Sequence, residues 1–222
     1  TFHKRELPKN LIGLSSKEGK MIFREALLAG DMESFFPLSE QFVTQSEPSY
    51  CALSSLVVVL NALNHDPKRI WKGVWRWVSE EMLQCETQDI CGHSLEKVKK
   101  QGMNFNEFER IAICHGVGIH SYRAVSLSLS PSPSLPHISS LPSPSYTQSS
   151  SPSSLSSSSC MSADITCSNL LQFRSAVQTS CRQTTAENFV VVNFSRKAIG
   201  QTGDGHFSPI GGYHAERDLV LI

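Results

Sequence analysis

Cys51 stands directly before a long apolar run, Ala52 to Leu63, and directly after the turn-forming stretch Glu47-Pro48-Ser49-Tyr50. A thiol there would occupy the first turn of a helix, where unpaired backbone N–H groups and the helix dipole favour an anion. That lowers a thiol toward its nucleophilic thiolate form. A cysteine opening an apolar helix can equally serve as a small buried hydrophobe. Two other residues favour the chemical reading. Gln45 lies six positions earlier, on the loop leading into the run, where its side-chain amide could join the Cys51 backbone N–H in stabilising an oxyanion. His206 follows the glycine turn Thr202-Gly203-Asp204-Gly205 and opens an extended stretch, a place from which an imidazole can reach across a cleft to a thiol.

The elements that must hold these groups follow from periodicity. Lys17 to Ala29 carries Met21, Ile22, Ala26 and Ala29 near one helical face and stops at Gly30-Asp31. Cys51 to Leu63 is apolar almost all round, as in a helix passing through the middle of a domain; Val57-Val58-Val59 would also suit a strand, but the length and a capping serine at Ser49 favour the helix. Trp71, Trp75 and Trp77 have spacing that allows a helical face and read as core anchors of a small helical subdomain. Ser94 to Lys100 and Asn106 to His115 give two further helices, and Ser168 to Cys181 an amphipathic one. After that the period changes to two: Phe189 to Phe194, His206 to Ile210 and Leu219 to Ile222 are predicted strands of an antiparallel meander with turns at 202–205 and around 215–217.

Between Ser126 and Ser162 about two-thirds of the residues are Ser or Pro. Such a composition cannot offset a backbone entropy cost of about 1–2 kcal/mol per residue, and it predicts a disordered insert over 126–164. Residues 1–125 and 165–222 then read as the helical and β parts of one domain, since closure entropy grows only logarithmically with loop length. The chain has 222 residues with 20 basic and 20 acidic side chains. This balance argues against nucleic acid or an anionic membrane as a partner held by bulk charge. No apolar run approaches the roughly 20 residues of a membrane span, and no secretory signal opens the chain. Seven cysteines, an odd number in a chain too large to need stapling, read as reduced thiols, which predicts a cytoplasmic or nuclear setting. The start without Met and the apolar end at Leu219-Val220-Leu221-Ile222 read as those of a fragment.

A nucleophilic cysteine on a helix start facing a histidine on a strand is the division of labour in papain-like enzymes. The strings Gln45-Ser46-Glu47-Pro48-Ser49-Tyr50-Cys51, Leu60-Asn61-Ala62-Leu63, Trp71-Lys72-Gly73-Val74-Trp75-Arg76-Trp77 and Gly200 to Tyr213 resemble the catalytic domain of the phytochelatin synthase family. The likeness spans about Phe2 to Ala124 and Ile165 to Ile222. It implies an α+β, papain-like cysteine-protease fold, helical in its N-terminal half and antiparallel β in its C-terminal half, here truncated. It also implies an acyltransferase that makes phytochelatins from glutathione: Cys51 forms a thioester with γ-glutamylcysteine and releases glycine, His206 serves as base and acid, and Gln45 helps hold the oxyanion. The acceptor would be a second glutathione, carried as a cadmium or zinc thiolate; the chemistry itself needs no cofactor, and a homodimer is compatible with it. The family's third catalytic residue, an Asp, would fall just beyond Ile222, which predicts weakened or absent activity in this chain. Asp218 is the nearest carboxylate. With the hairpin centred at Ala215 it lies about 20 Å along the strand from the position facing His206, so it is rejected as the orienting acid.

Two competing functions stay open: a thiol peptidase that removes glycine from glutathione or its conjugates, and a non-catalytic, thiol-rich metal-binding fragment. Cys85, Cys91, His93, Cys114 and His115 are potential metal ligands, but the gap from Cys85 to Cys91 exceeds that of a zinc finger and no second matched pair follows. Glu47 and Arg217 could meet charged groups of a substrate or simply be solvated, and His214 reads as a surface histidine.

Overall fold

A computed structural model describes residues 6–84, 94–124, 165–167 and 170–222. The proposed insert at 126–164 lies outside them, as do Cys85, Cys91 and His93. The chain forms two compact units, residues 1–119 with 169–222, and residues 120–168. In the second unit, β1 (Tyr122–Ala124) pairs in parallel with β2 (Ile165–Cys167), Tyr122 opposite Ile165 and Ala124 opposite Cys167. A parallel pair was absent from the antiparallel plan drawn from the sequence; short strands lying far apart in a chain carry no local signal of their pairing.

The first unit is built around α3 (Cys51–Ala62), ten of whose twelve residues are buried. Helix wins over strand at Val57-Val58-Val59 because apolar neighbours surround the segment on every side, so tertiary burial overrides the modest helix cost of β-branching. Leu53, Leu56 and Leu60 are each at most 2 % exposed, and each contributes about 2 kcal/mol through burial. Against them pack Val98 of α4 (Leu95–Gln101), Phe108, Ile111 and Ala112 of α5 (Phe105–Cys114), and Phe207 of β4 (Gly205–Pro209). The Phe207 ring stacks on Phe108 with centroids 4.9 Å apart. Helix α5 begins with a full capping box, Asn104 Oδ1 accepting from the Glu107 amide while the Glu107 carboxylate accepts from the Asn104 amide.

The N-terminal cap of α3 differs from expectation. Tyr50 is the cap residue and its side chain makes no capping bond to the helix, while Ser49 Oγ donates to the Lys99 carbonyl at 2.8 Å. Helix α2 (Phe35–Glu40) was not expected, and it contains Pro37; in a first turn, proline costs no intrahelical hydrogen bond. The tryptophan segment is also corrected. Trp71, Trp75 and Trp77 are 44 %, 61 % and 42 % exposed, and they sit on a tight loop closed by Trp71 N–H to Trp75 C=O at 2.8 Å. Gly73, at φ +58°, lets the chain reverse there, so a spacing of four reflects a turn and not a helical face.

The predicted meander separates into two antiparallel pairs. Strand β3 (Val191–Ser195) pairs with β4, and β5 (Gly212–His214) pairs with β6 (Leu219–Leu221). The break falls at Ile210-Gly211, where the chain turns to pass the segment after α1 (Lys17–Leu28). Tyr213 donates to the Asp31 carbonyl at 3.0 Å, and a Cβ on Gly212 would collide with Met32 Sδ. The second hairpin is centred between Glu216 and Arg217, not at Ala215, since Gly212 faces Leu221 and His214 faces Leu219. Helix α6 (Leu170–Arg182) buries Val177 and Cys181 with Ile210 and Tyr213, and its Arg182 pairs at 2.5 Å with Asp31, a carboxylate 1 % exposed. Among the described residues no helix is long and apolar enough to cross a membrane.

Candidate active site

Cys51 is the first residue of α3, half-buried and free of any disulfide. As the first helical residue its N–H has no partner within the helix. The loop in front of it is fastened at several points. Gln45 Nε2 donates to the Glu47 carbonyl at 2.8 Å, which uses one of its two amide hydrogens and leaves the other for a ligand. The Glu47 carboxylate meets Lys99 Nζ at 2.5 Å, and Tyr50 Oη donates to the Leu95 carbonyl at 3.2 Å. The carboxylate proposed for substrate is thus already shared with a lysine of α4, and that lysine's pKa is raised by the bond to Glu47.

His206 is half-buried on β4, opposite Phe194 of β3, with the two rings edge-to-face at 5.6 Å. The ladder bonds Arg196 N–H to Asp204 C=O and Ile210 N–H to Val190 C=O set the alternation of this pair. By that alternation, Phe194 and His206 exchange backbone hydrogen bonds, whereas the backbone groups of Phe207 point away from β3. The Phe207 carbonyl instead accepts from Ser55 Oγ of α3 at 3.1 Å, in a buried contact. Ser55 lies one helical turn after Cys51, on the same face and about 6 Å along the axis. Phe207 is the immediate neighbour of His206. This one bond therefore joins the helix carrying the thiol to the strand carrying the imidazole, beside both, and both elements border the same apolar cluster.

Burial lowers the pKa of His206, and the Arg196 guanidinium pushes it further in the same direction. The imidazole is accordingly neutral near pH 7 and able to accept a proton. Asp218 is drawn down to about 2, first by Arg174 and then by the Tyr213 hydroxyl, which donates to it at 2.9 Å. It belongs to the turn between β5 and β6, on the rim of a small cavity of about 150 Å³ lined also by Phe173 and Val177.

Three other residues depart from the sequence reading. His214 is buried, 7 % exposed: its Nε2 meets Glu25 Oε2 at 2.9 Å, while Nδ1 accepts from the Arg217 amide at 3.2 Å. The partner that buries it lies 189 positions away, beyond the reach of local patterning. Arg217 itself reaches Glu18 at 3.5 Å and Glu25 at 3.8 Å. Cys114 is disulfide-bonded, against the expectation of reduced thiols throughout. His115 has its pKa lowered by burial, and among the described residues no group of three or more His, Cys, Asp or Glu gathers to hold a metal ion. Sequence reasoning also missed Glu80, whose carboxylate accepts from both Ser46 and Ser54 around Cys51. Without a periodic or motif signal, a lone glutamate beyond an aromatic loop is not legible as part of a site.

Known proteins match this chain over its whole length. The glutathione gamma-glutamylcysteinyltransferase 3 of Lotus japonicus is 39 % identical over 222 residues, covering 100 % of this chain and 36 % of the relative. The glutathione gamma-glutamylcysteinyltransferase 1 of Arabidopsis thaliana is 40 % identical over 224 residues, with the same coverage of 100 % and 36 %. The glutathione gamma-glutamylcysteinyltransferase of Schizosaccharomyces pombe is 34 % identical over 223 residues, covering 100 % of this chain and 42 % of the relative. The chain thus spans well under half the length of these relatives. The family model for phytochelatin synthase matches residues 2–222, and with Cys51, Gln45 and His206 on the elements described above, the chain belongs to the phytochelatin synthase family.

Proposed function

We propose that this chain carries out acyl transfer from glutathione, joining γ-glutamylcysteine units into phytochelatins. The observation that carries the reading is the Ser55–Phe207 bond, which sets the helix start bearing Cys51 beside the strand bearing His206. His206 takes the Cys51 proton as the sulfur attacks the carbonyl carbon of the Cys–Gly amide in the substrate. The Cys51 N–H and the second amide hydrogen of Gln45 stabilise the oxyanion. The C–N bond then breaks, glycine leaves with the proton returned by His206, and γ-glutamylcysteine stays on Cys51 as a thioester. The α-amine of a second glutathione attacks that thioester, forms the new peptide bond and restores the thiol. Glu47, shared with Lys99, offers a carboxylate to the substrate's ammonium group. A cadmium or zinc ion enters with the acceptor as a thiolate complex, and the multi-thiol product suits such soft ions.

The test is incubation of the chain with glutathione and cadmium, beside a Cys51→Ala control, with products read by mass spectrometry. Glycine release together with γ-glutamylcysteine oligomers, both abolished in the control, is the expected result. Glycine release with γ-glutamylcysteine alone would indicate hydrolysis in place of transfer, and equal products from the control would refute the role of Cys51.

A further inference from the structure

We propose that Glu80 is a positioning residue for this site, its single carboxylate holding the Gln45–Cys51 loop against the first turns of α3. The inference rests on the acyl-transfer reading above. Glu80 opens a short 3-10 helix, Glu80–Leu83. Its two oxygens lie 3.4 and 3.3 Å from the Ser46 amide nitrogen, Oε2 also accepts from Ser46 Oγ, and Oε1 accepts from Ser54 Oγ. Ser46 is the neighbour of Gln45, and Ser54 lies three residues past Cys51, on the same side of the helix. The carboxylate therefore bridges the chain on either side of the nucleophile.

A strut works only if its own base is fixed. The Asn61 side chain provides this through a reciprocal pair, Asn61 Nδ2 to the Val78 carbonyl at 3.0 Å and the Val78 amide to Asn61 Oδ1 at 2.9 Å. Val78 and Leu83 are 4 % and 1 % exposed, within the main apolar cluster. The far end of α3 thus anchors the segment from which Glu80 reaches back to its near end. A carboxylate suits the task because it is acceptor-only and all its partners here are donors. In a glutamine, one side-chain oxygen would become an NH2 group facing the Ser46 N–H, which cannot turn away.

The experiment compares Glu80→Gln, Glu80→Asp and the unaltered full chain. Three readouts are needed: kcat and KM for glutathione, stoichiometric alkylation of Cys51 by iodoacetamide, and amide hydrogen exchange over residues 45–50. Because an oxyanion group misplaced by a fraction of an ångström weakens only the transition state, Glu80→Gln should lower kcat about 10- to 100-fold. KM should hold within about twofold, and Cys51 should alkylate fully. Exchange over 45–50 should quicken by about tenfold or more as the loop opens more often. Glu80→Asp, too short to meet both serines, should fall between. In a Glu80→Gln/Ser46→Ala double variant the losses should fail to add, since both remove one contact. Unchanged kcat with unchanged exchange would overturn the proposal, as would exchange quickened throughout the chain and not over 45–50 alone, which marks general unfolding. Absence of glycine release from the unaltered chain would defeat the acyl-transfer reading instead, and the exchange rates would still decide whether Glu80 holds the loop.

Discussion

Replacing Ser55 by alanine removes one hydroxyl and isolates one carbonyl. The Phe207 C=O faces away from β3, and its partner in the structure is Ser55 Oγ at 3.1 Å, between two residues 7 % and 4 % exposed. A buried carbonyl left without a donor costs about 1–3 kcal/mol. The side chain lost is small and the contact lies at a strand edge where relaxation can recover part of the loss, so about 1.5 kcal/mol is the working figure. For a chain of this size each kcal/mol moves the melting temperature by about 2–4 °C, giving an expected fall of about 3–6 °C by calorimetry. The functional effect should be larger than the thermal one, because the same bond sets the spacing between the Cys51 helix and the His206 strand. A shift of about 1 Å there lowers turnover about 10- to 100-fold. Ser55→Thr keeps the hydroxyl and should retain more activity than Ser55→Ala. A melting temperature lowered by less than about 1 °C, with turnover unchanged, would refute the view that this bond joins the two halves of the site.

Other consequences follow from the same geometry. Because the folded pKa of His206 lies below its ordinary 6.5, the unfolded chain binds the proton more readily; stability is therefore greatest above 6.5 and falls as pH drops toward the folded value. The acid limb of the pH–rate profile should accordingly lie below 6.5, and Arg196→Gln should move it up slightly, burial being the larger cause. For Asp218 the sign is the same and the window lies lower. Its carboxylate is held at about 2 against 3.8, so its contribution is full above 3.8 and disappears as pH falls through 2; Asp218→Asn should flatten acid unfolding in that window, followed by circular dichroism. Trp75→Ser, at a side chain 61 % exposed, should change stability by no more than about 0.5 kcal/mol in urea unfolding, whereas a core anchor would cost about 3–5 kcal/mol.

Much of the scaffold was legible because its elements are locally determined. Helix α3 announces itself by apolar residues on every face, α5 by its apolar period, β3 by its valines, and β4 by the extended stretch that resumes after a glycine turn. Cys51, Gln45 and His206 could be proposed from the sequence because a thiol at a helix start and a histidine after a turn are positional features. What escaped reading depends on distant partners. His214 is buried by Glu25, Asp31 is paired with Arg182 across 151 positions, and Glu80 acquires meaning only when Asn61 and Val78 fold it back over α3. The tryptophan loop misled for a different reason: aromatic residues four apart imitate a helical face, and only the positive φ at Gly73 distinguishes a turn.

Whether Cys51 accepts an acyl group from glutathione is decided by acid-quenching the full chain during incubation with glutathione and mapping its peptides by mass spectrometry. A γ-glutamylcysteinyl thioester on the Cys51 peptide, sensitive to hydroxylamine and lost in His206→Asn, is expected. An unmodified Cys51 peptide under conditions where glycine is being released, or an adduct on another residue, would contradict it.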